Sequence, residues 1–417
     1  MVGLIGICVL LGVAFLFSEH KGAVRFDLAA RTLALQVLIA VIALLTPVGD
    51  IVLGVLSGGV DAMKGFVKEG STFMFGPLGD DQGGANVIFF FQILPIILFI
   101  AALFSVLFHL RVMTWIIRGI GSVMRWVTGA SRLESTCAAA NIFVGMAEAP
   151  LTILPYLPKI TRAQLFVMMS LGLSSVAGTV LVAYSAIGIN SGLLITAALM
   201  AAPGGLLMGR ILVPETESPF DIDSDDAKKL DANRAGSLIE ALTNGAMIGL
   251  QIMLSVMALL IAVLALIALV NGILGGIGGW FGYGDLSLQG IFAQIFRPVA
   301  WMIGVPWAES GQAGVYLGEK VVLNEFLAYA NFAGDMEDFS PQAQLSITLA
   351  LCGFANFGGL AILIAGLSAV VPERKTEISK LGLKTVLAGN LSNFMSASIA
   401  SVVITLAGDG RLLQILA

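Results

Sequence analysis

Four polar residues stand within apolar stretches of the chain, and their side chains are the ones best suited to chemistry. Glu148 and Glu325 carry carboxylates, and Asn141 and Asn356 carry amides. An ionisable side chain inside a hydrocarbon layer is costly and usually serves ligand or ion binding. We therefore interpret the two carboxylates as functional. The alternative is a buried acid or amide that holds a turn by bonding to the backbone.

These residues coincide with interruptions of otherwise apolar helices. Asn, Gly, Glu and Pro fall within 141–150, and small and polar residues, including Ser174 and Ser175, fall within 172–179. Further interruptions lie at 307–312, 324–326 and 353–359. Non-helical backbone at membrane depth must be buried in protein or line a cavity. The order predicts a hairpin with its tip near Gly145 and a broken helix after it. A second hairpin follows, with its tip at 307–312, and then a second interrupted helix.

The two predicted hairpins open to opposite faces of the membrane, because three spans separate them. Basic residues flank the first hairpin on both sides, so it enters and leaves on one side. The chain thus has a hairpin and a broken helix, followed by a second hairpin and a second broken helix. This is the order of an inverted repeat, in which ligands bind near the midplane.

The composition requires a membrane protein. Of 417 residues, 58% are hydrophobic and 12% are charged, whereas a soluble domain is about 25% charged. The formal net charge of −5 provides no basic footprint for nucleic acid. The three cysteines are isolated in apolar runs and indicate neither a disulfide framework nor a zinc site.

Eight stretches are long and apolar enough to cross a membrane, which needs about 20 residues. They lie at 1–18, 31–49, 88–110, 164–187, 191–213, 240–270, 322–371 (interrupted) and 384–407. The basic residues follow the first stretch, so we interpret it as a retained helix rather than a signal peptide. Basic loops at 111–132, 210–236 and 374–384 favour the inside. Eight spans then leave both termini outside.

Two stretches between the spans are predicted to lie along the membrane. The basic, amphipathic stretch 112–129 is typical of a helix in the inner interface, with an ordinary loop helix as the alternative. The glycine-rich run 272–283 predicts a bend on the outer side before another interfacial helix.

Several motifs in order resemble the concentrative nucleoside transporter family. They are NIFVGMAEAPLTILPYL at 141–157, PGG at 203–205 with LVPETE at 212–217, NGILGGIGGWFG at 271–282, GEKVVLNEFLAY at 318–329 and CGFANFGGLAI at 352–362. The resemblance extends over nearly the whole chain from about residue 90. The first 80 residues match only as hydrophobic spans.

The resemblance implies a homotrimer of all-α subunits in the plasma (inner) membrane. Each subunit has eight transmembrane helices, two opposed re-entrant hairpins and broken helices. It implies symport of nucleosides into the cell, driven by sodium or protons, and not an enzyme. The parts are N-terminal scaffold (1–110), interfacial helix (111–132), first transport repeat (133–213), linker (214–239), scaffold helix with an outer segment (240–297) and second transport repeat (298–417).

The resemblance also assigns the site residues. The base of the nucleoside would meet Gly145, Met146, Ala147, Glu148 and Val180, with Phe354 beside it. The ribose would meet Glu325 and Asn356. The coupling Na⁺ would take oxygens of Asn141, Val144, Ser175 and Val176. Asn141 favours sodium, whereas proton coupling would use Glu148.

This chain departs from the family pattern at three polar positions. Met146, Ala147 and Gly359 stand where side chains that hydrogen-bond the substrate are usual. A site without those groups should discriminate bases less or prefer a different base. A channel is the competing class, but no run typical of a selectivity filter is present. A membrane enzyme is the third class, and the chain has no His-Glu-x-x-His metal motif.

Overall fold

The computed structural model describes residues 2–80, 88–146, 149–221, 236–283 and 285–416. Within these ranges the regular structure is helical, and no strand is present. Helices of the first half are α1 (Val2–Leu16), α2 (Phe26–Leu45), α3 (Pro47–Phe75), α4 (Phe89–Gln92), α5 (Pro95–His109), α6 (Val112–Thr128), α7 (Arg132–Asn141), α8 (Arg162–Ser174), α9 (Gly178–Ala186) and α10 (Ser191–Leu212). A run of 3₁₀ turns, Ala149–Lys159, separates α7 from α8.

The second half has eight helices in its described part. They are α11 (Leu238–Trp280), α12 (Leu288–Met302), α13 (Ser310–Val322), α14 (Glu325–Gly334), α15 (Pro341–Leu351), α16 (Phe357–Val370), α17 (Lys375–Ala407) and α18 (Asp409–Leu416). Short 3₁₀ turns lie at Lys21–Ala23, Gly76–Leu78, Met336–Asp338 and Pro372–Arg374.

N-cap side chains define where the site-bearing helices begin. Ser131 and Thr161 form capping boxes with Glu134 and Gln164 at the starts of α7 and α8. Each box satisfies two backbone donors that a helix start leaves unpaired. Asn190 caps α10 in the simpler way, through its side-chain oxygen.

Among the residues that the structure describes, six helical segments are long and apolar enough to cross a membrane. They are Phe26–Leu45, Phe89–His109, Arg162–Ala186, Ser191–Leu212, Leu238–Trp280 and Pro372–Ala407, and shorter apolar helices lie at Val2–Leu16 and Phe357–Val370. The central part of the Arg162–Ala186 segment is buried, whereas only a few residues of Leu238–Trp280 are buried. The buried segments form the centre of the molecule, and α11 lies at its periphery. Gly245 and Gly249 let α11 approach the backbone of α5 closely.

Helix α17 connects the two ends of the molecule. Near its start, Lys384 donates to Glu19 at 2.9 Å, and Glu19 also pairs with Arg162 at the start of α8. Near its end, the Ser401 hydroxyl accepts a 2.8 Å bond from Gln342 of α15. An α-helix rises about 25 Å between these two points of α17.

The first hairpin begins and ends at the Glu19 end of the molecule. Arg210 pairs with Glu134 in α7 and with Glu215, which also accepts from Thr161 at the start of α8. The loops predicted to be basic and inside therefore meet at one end. The described residues near both chain ends lie at the other end: Gly3 lies against Ser398 and Val402, and Asn190 donates to Ile415.

Two predicted features differ in the structure. The glycine-rich run is helical as far as Trp280, where α11 ends, so the bend is confined to its last residues, 281–283. The 322–371 stretch is divided among α14, α15 and α16, and only α15 and α16 together form a broken helix. Each interior glycine of the run in α11 costs the helix about 1 kcal/mol, which the apolar surroundings outweigh.

Candidate functional site

Asn141 is the last residue of α7 and is completely buried. Its Nδ2 donates to the Cys137 carbonyl at 2.9 Å, one turn earlier. This bond orients the amide so that Oδ1 faces the Ser175 hydroxyl, 3.4 Å away. The structure therefore brings together two of the four predicted ion ligands, one from the first hairpin and one from the break between α8 and α9.

The turn of the first hairpin is bonded to the same break. The Phe143 carbonyl accepts from the Gly178 backbone N–H at 3.0 Å. Val144 and Val176, the other two predicted ion ligands, are buried beside these residues, and Gly145 is half-buried. Ala147 and Glu148 lie outside the described residues.

Met146 lies against the broken helix of its own half. A Cβ built at Gly172 of α8 would lie 3.1 Å from Met146 Cβ and 3.6 Å from a methyl of Leu363 in α16. Close approach therefore depends on glycine at this position. Met146 thus contributes an apolar wall between α8 and α16.

The prediction for the second hairpin is wrong in its position. Residues 307–309 form the turn that precedes α13, and the hairpin consists of α13 and α14 with its tip at Leu323–Asn324. Tyr316 bonds to Asp335 at 2.6 Å, and Glu319 accepts from Asn331 at 2.9 Å, so the two arms run antiparallel.

Glu309 accepts from the backbone N–H and hydroxyl of Ser340, at 3.0 and 2.9 Å. Ser340 is the N-cap residue of α15, so Glu309 fastens the base of the second hairpin to the second broken helix. Proline and small residues at 305–312 resemble a tip in sequence, but here they form the turn that redirects the chain from α12 into α13.

Glu325 is at the centre of a buried polar group. One carboxylate oxygen accepts from the Tyr184 hydroxyl at 3.0 Å, and the other accepts from Asn356 Nδ2 at 2.6 Å. Only 6% of Glu325 is exposed. These bonds join the second hairpin, α9 and α16.

Helix N-termini surround this carboxylate. Glu325 is the first residue of α14, and Asn356 is the N-cap of α16, where its Oδ1 accepts from the Gly359 N–H at 2.7 Å. The positive ends of two helix dipoles therefore favour the negative charge. Asn324 caps α14 through its oxygen, while its buried Nδ2 has no hydrogen-bond partner among the described residues.

The remaining predicted substrate residues lie beside the same group. Val180 is one turn before Tyr184 in α9, and residues four apart share a helix face. Phe354 is half-buried, and its N–H donates to the Ser175 carbonyl at 3.2 Å. That bond connects the predicted substrate residues with the predicted ion ligands.

Gly359 occupies a tightly packed position in the first turn of α16. A Cβ there would clash with the backbone oxygen of Phe354. The missing side chain therefore matches the path of the backbone here, and any larger residue requires the Phe354 segment to move.

Three residues in and around this group were not assigned from the sequence. Tyr184 gave no signal because a single tyrosine in an apolar helix is ordinary. Lys320, completely buried in α13, was signalled by its charge within an apolar run. Asn393 of α17 donates to the Ser174 and Cys352 carbonyls at 2.7 and 2.8 Å, one at each helix break.

Two cavities lie away from this group. One of about 450 Å³ is at the Glu19 end, and one of about 530 Å³ lies beside the arms of the second hairpin. Within the described ranges, no three His, Cys, Asp or Glu side chains are grouped to hold a metal ion.

Three family models match successive parts of the chain. "Na+ dependent nucleoside transporter N-terminus" matches residues 5–78, "Nucleoside recognition" matches 90–191, and "Na+ dependent nucleoside transporter C-terminus" matches 193–401. Together they account for nearly all of the sequence.

Two bacterial curated relatives match over almost their whole length, and a human relative matches over part of its length. The uncharacterized transporter YutK of Bacillus subtilis is 44% identical over 402 residues, 96% of this chain and 99% of the relative. The nucleoside permease NupC of Helicobacter pylori is 40% identical over 412 residues, 96% and 97% of the two chains. Human solute carrier family 28 member 3 is 35% identical over 95% of this chain and 59% of its own.

Solved structures of CNTnw have the same fold. The inward-facing, substrate-bound state has a TM-score of 0.93 and 42% identity, covering 98% of this chain and 99% of the other. A variant in an outward-facing state has a TM-score of 0.92 and 41% identity, with 98% of both chains covered.

Proposed function

Because this chain belongs to the concentrative nucleoside transporter family, we propose that it carries nucleosides into the cell by sodium-coupled symport. The chain is a multi-pass protein of the plasma membrane, and members of its family are transporters rather than enzymes. The substrate site, the coupling ion and the membrane topology are inferred from the contacts described above.

Eight spans are inferred among the described helices. The six long segments, α1, and the α15–α16 pair make eight. The two hairpins then enter from opposite sides as re-entrant elements, because their bases lie at opposite ends of α17. Both termini lie at the end opposite the basic loops, so the positive-inside rule favours both termini outside.

The nucleoside binds at Glu325 and Asn356, and the 2.6 Å bond between them is the observation that carries this proposal. A buried carboxylate and amide held side by side are suited to the two vicinal hydroxyls of a ribose. The unpartnered Asn324 Nδ2 offers one further donor. Phe354, Val180, Gly145, Met146 and Gly359 surround the base with apolar surface, and Ala147 and Glu148 belong to this set by resemblance.

The coupling sodium binds at the end of α8. Asn141 Oδ1 and the Ser175 hydroxyl supply side-chain oxygens, and Val144 and Val176 supply carbonyls. The C-terminal end of a half-helix carries negative partial charge that favours a cation. Oxygen ligands suit a hard cation. Proton coupling through Glu148 is the competing outcome of the test below.

The moving and fixed parts of the transporter correspond to the transport and scaffold segments predicted from the sequence. Residues 133–213 and 298–417 carry the hairpins and broken helices and form the transport part. Residues 1–110 and 240–297 form the scaffold, 111–132 the interfacial helix and 214–239 the linker. The homotrimer rests on the family resemblance.

Uptake into proteoliposomes tests the proposal. With an inward sodium gradient, labelled uridine should accumulate above its external concentration, and preloaded unlabelled uridine should exchange with label. Uptake that is unchanged in choline at fixed pH but abolished by a proton ionophore would establish proton coupling instead. Equilibration without accumulation or exchange would indicate a channel, and chemical conversion of the label would indicate an enzyme.

A further inference from the structure

Lys320 is a completely buried lysine in the middle of the second hairpin, and the proposed binding of nucleoside and sodium leaves it without a role. Its Nζ donates to Asn393 Oδ1 at 2.8 Å and to the Ala350 carbonyl at 3.1 Å. It also lies 5.3 Å from the centre of the Phe394 ring. Two oxygen acceptors and a ring face are the surroundings of an ammonium cation. A group this costly to bury is retained in a membrane where it serves function.

The ammonium lies at the C-terminal end of a half-helix. Ala350 is in the last turn of α15, which ends at Leu351 where the second broken helix is interrupted. The last carbonyls of a helix lack intrahelical partners and carry the negative end of the dipole. Lys320 therefore supplies positive charge where the interrupted helix needs it.

The first broken helix ends in the same way but without a lysine. Helix α8 ends at Ser174, beside Asn141 and Ser175, where neutral oxygens converge. The two ends are joined by Asn393, whose Nδ2 donates to both the Ser174 and Cys352 carbonyls. The Nδ2 of this one amide thus contacts both helix breaks, and its Oδ1 accepts a hydrogen bond from the Lys320 ammonium.

We propose that Lys320 is a tethered cation, which fills at the end of α15 the electrostatic position that the coupling ion fills at the end of α8. The comparison with α8 rests on the proposed sodium site. Lys320 is a positioning residue: it neutralises the half-helix and holds the second hairpin, five residues before Glu325, against Asn393. The second half therefore needs no free ion of its own.

Replacing the tethered ammonium of Lys320 with a free amine in solution tests the proposal directly. In Lys320→Ala the ammonium is lost and a space remains, so binding of labelled uridine by the purified full-length protein should fall at least tenfold. Addition of ethylammonium chloride should restore at least a third of the binding, whereas tetramethylammonium, which has no N–H donor, should not. Lys384→Met, which removes a lysine from the same molecule at the Glu19 end, should bind like the wild type. Absence of recovery with ethylammonium overturns the proposal.

If the alanine variant does not assemble in the membrane, Lys320→Arg and Lys320→Met decide. Arginine keeps the charge and changes the shape, while methionine keeps the approximate shape and loses the charge. The proposal requires that the arginine variant bind uridine at least tenfold more tightly than the methionine variant does. Equal binding, or tighter binding by methionine, means that Lys320 serves packing and overturns the proposal.

These measurements are independent of the coupling ion. Sodium dependence is a property of wild-type uptake, whereas amine recovery and the arginine–methionine order are read from uridine binding. A wild type that ignores sodium would contradict the proposed function and leave the result for Lys320 intact.

Discussion

The two hairpin-and-broken-helix units meet at Asn393, yet they satisfy their polar groups in different ways. In the first unit, Asn141 Oδ1 and Ser175 are 3.4 Å apart, which is a weak contact. In the second unit, Glu325 and Asn356 are 2.6 Å apart and Lys320 and Asn393 are 2.8 Å apart. We call the first unit loosely bonded and the second tightly bonded in this respect, because the side-chain contact at the helix break is long in the first and short in the second.

The charges differ in the same sense. The described polar residues of the first unit that face its break are neutral, so a cation can enter without displacing one. The second unit contains both signs of charge, on Lys320 and Glu325, and it is suited to a ligand without net charge. This difference is the one expected if the proposed ion site leaves bonds open and the proposed substrate site fixes them in advance.

The largest effect should follow from Glu325→Gln, which attacks the tightly bonded unit. Glutamine keeps the size but has only one acceptor oxygen, so either Tyr184 or Asn356 loses its partner. Hydrogen bonds to a charged group contribute about 1.5–3 kcal/mol each, so uridine affinity should fall about 100-fold. Isothermal titration of the purified protein with uridine measures it.

Glu309→Gln is the matched control, because Glu309 bonds to Ser340 at the base of the same hairpin. Its uridine affinity should change less than threefold. If Glu325→Gln binds uridine as tightly as the wild type, the carboxylate is structural and the two units do not differ as described.

A smaller effect should follow from Asn141→Ala in the loosely bonded unit. The change removes one of four proposed ligand oxygens and breaks few existing bonds. The sodium concentration for half-maximal uptake should rise about 10-fold, while uridine affinity at saturating sodium stays within about threefold. Uptake measured over a range of sodium concentrations tests both.

Asn190→Ala serves as the control, since it removes an amide that caps α10 at the outer end. A helix cap contributes about 1 kcal/mol of stability, but the sodium requirement should not change. A sodium curve for Asn141→Ala that overlies the wild type would place the coupling ion elsewhere.

The sequence was sufficient for features that are local in the chain. The apolar runs at 191–213 and 164–187 coincide closely with helical segments, because length and hydropathy fix a span. Interruptions at 141–150, 172–179 and 353–359 coincide with the turn after α7 and with both helix breaks, because unpaired backbone at depth is costly.

The base and the tip of the second hairpin could not be told apart from local sequence features. The 307–312 and 323–325 segments both contain turn-forming and acidic residues, and only antiparallel pairing between the arms distinguishes base from tip. Asn393 was missed because its two carbonyl partners, Ser174 and Cys352, are remote in sequence. Gly359 was interpreted as a lost contact, but the nearby Phe354 oxygen leaves no room for a side chain.

Base selectivity should respond moderately to the double change Met146→Gln with Ala147→Thr. Met146 packs on Gly172, so the wild-type wall is apolar there, and we expect it to accept purine and pyrimidine nucleosides alike. New hydrogen bonds of about 0.5–1.5 kcal/mol should shift the uridine-to-adenosine affinity ratio about fivefold towards uridine. Competition of both nucleosides against labelled uridine measures it. A wild type that already excludes adenosine, or an unchanged ratio in the variant, would contradict the interpretation of these positions.

The smallest effect concerns the contact that holds the two units together at the Glu19 end. Glu19 pairs with Arg162, which begins α8, and with Lys384 of α17. Partial burial raises the pKa of this carboxyl, but bonds to Arg162 and Lys384 outweigh burial and hold the pKa below its ordinary value.

A lowered pKa means that the folded protein binds the proton less tightly than the unfolded chain does, so the stabilisation is present above the ordinary pKa of the carboxyl. It is lost as pH falls through the lowered pKa. Glu19→Gln should therefore lower the melting temperature slightly at pH 7, by an amount that corresponds to about 1 kcal/mol or less for partly exposed ion pairs. The difference from wild type should disappear at a pH below the folded pKa. Asp61→Asn, in the exposed pair with Lys64, should show no difference at either pH. A deficit of Glu19→Gln that persists unchanged in acid would mean that Glu19 joins the units by shape rather than by charge.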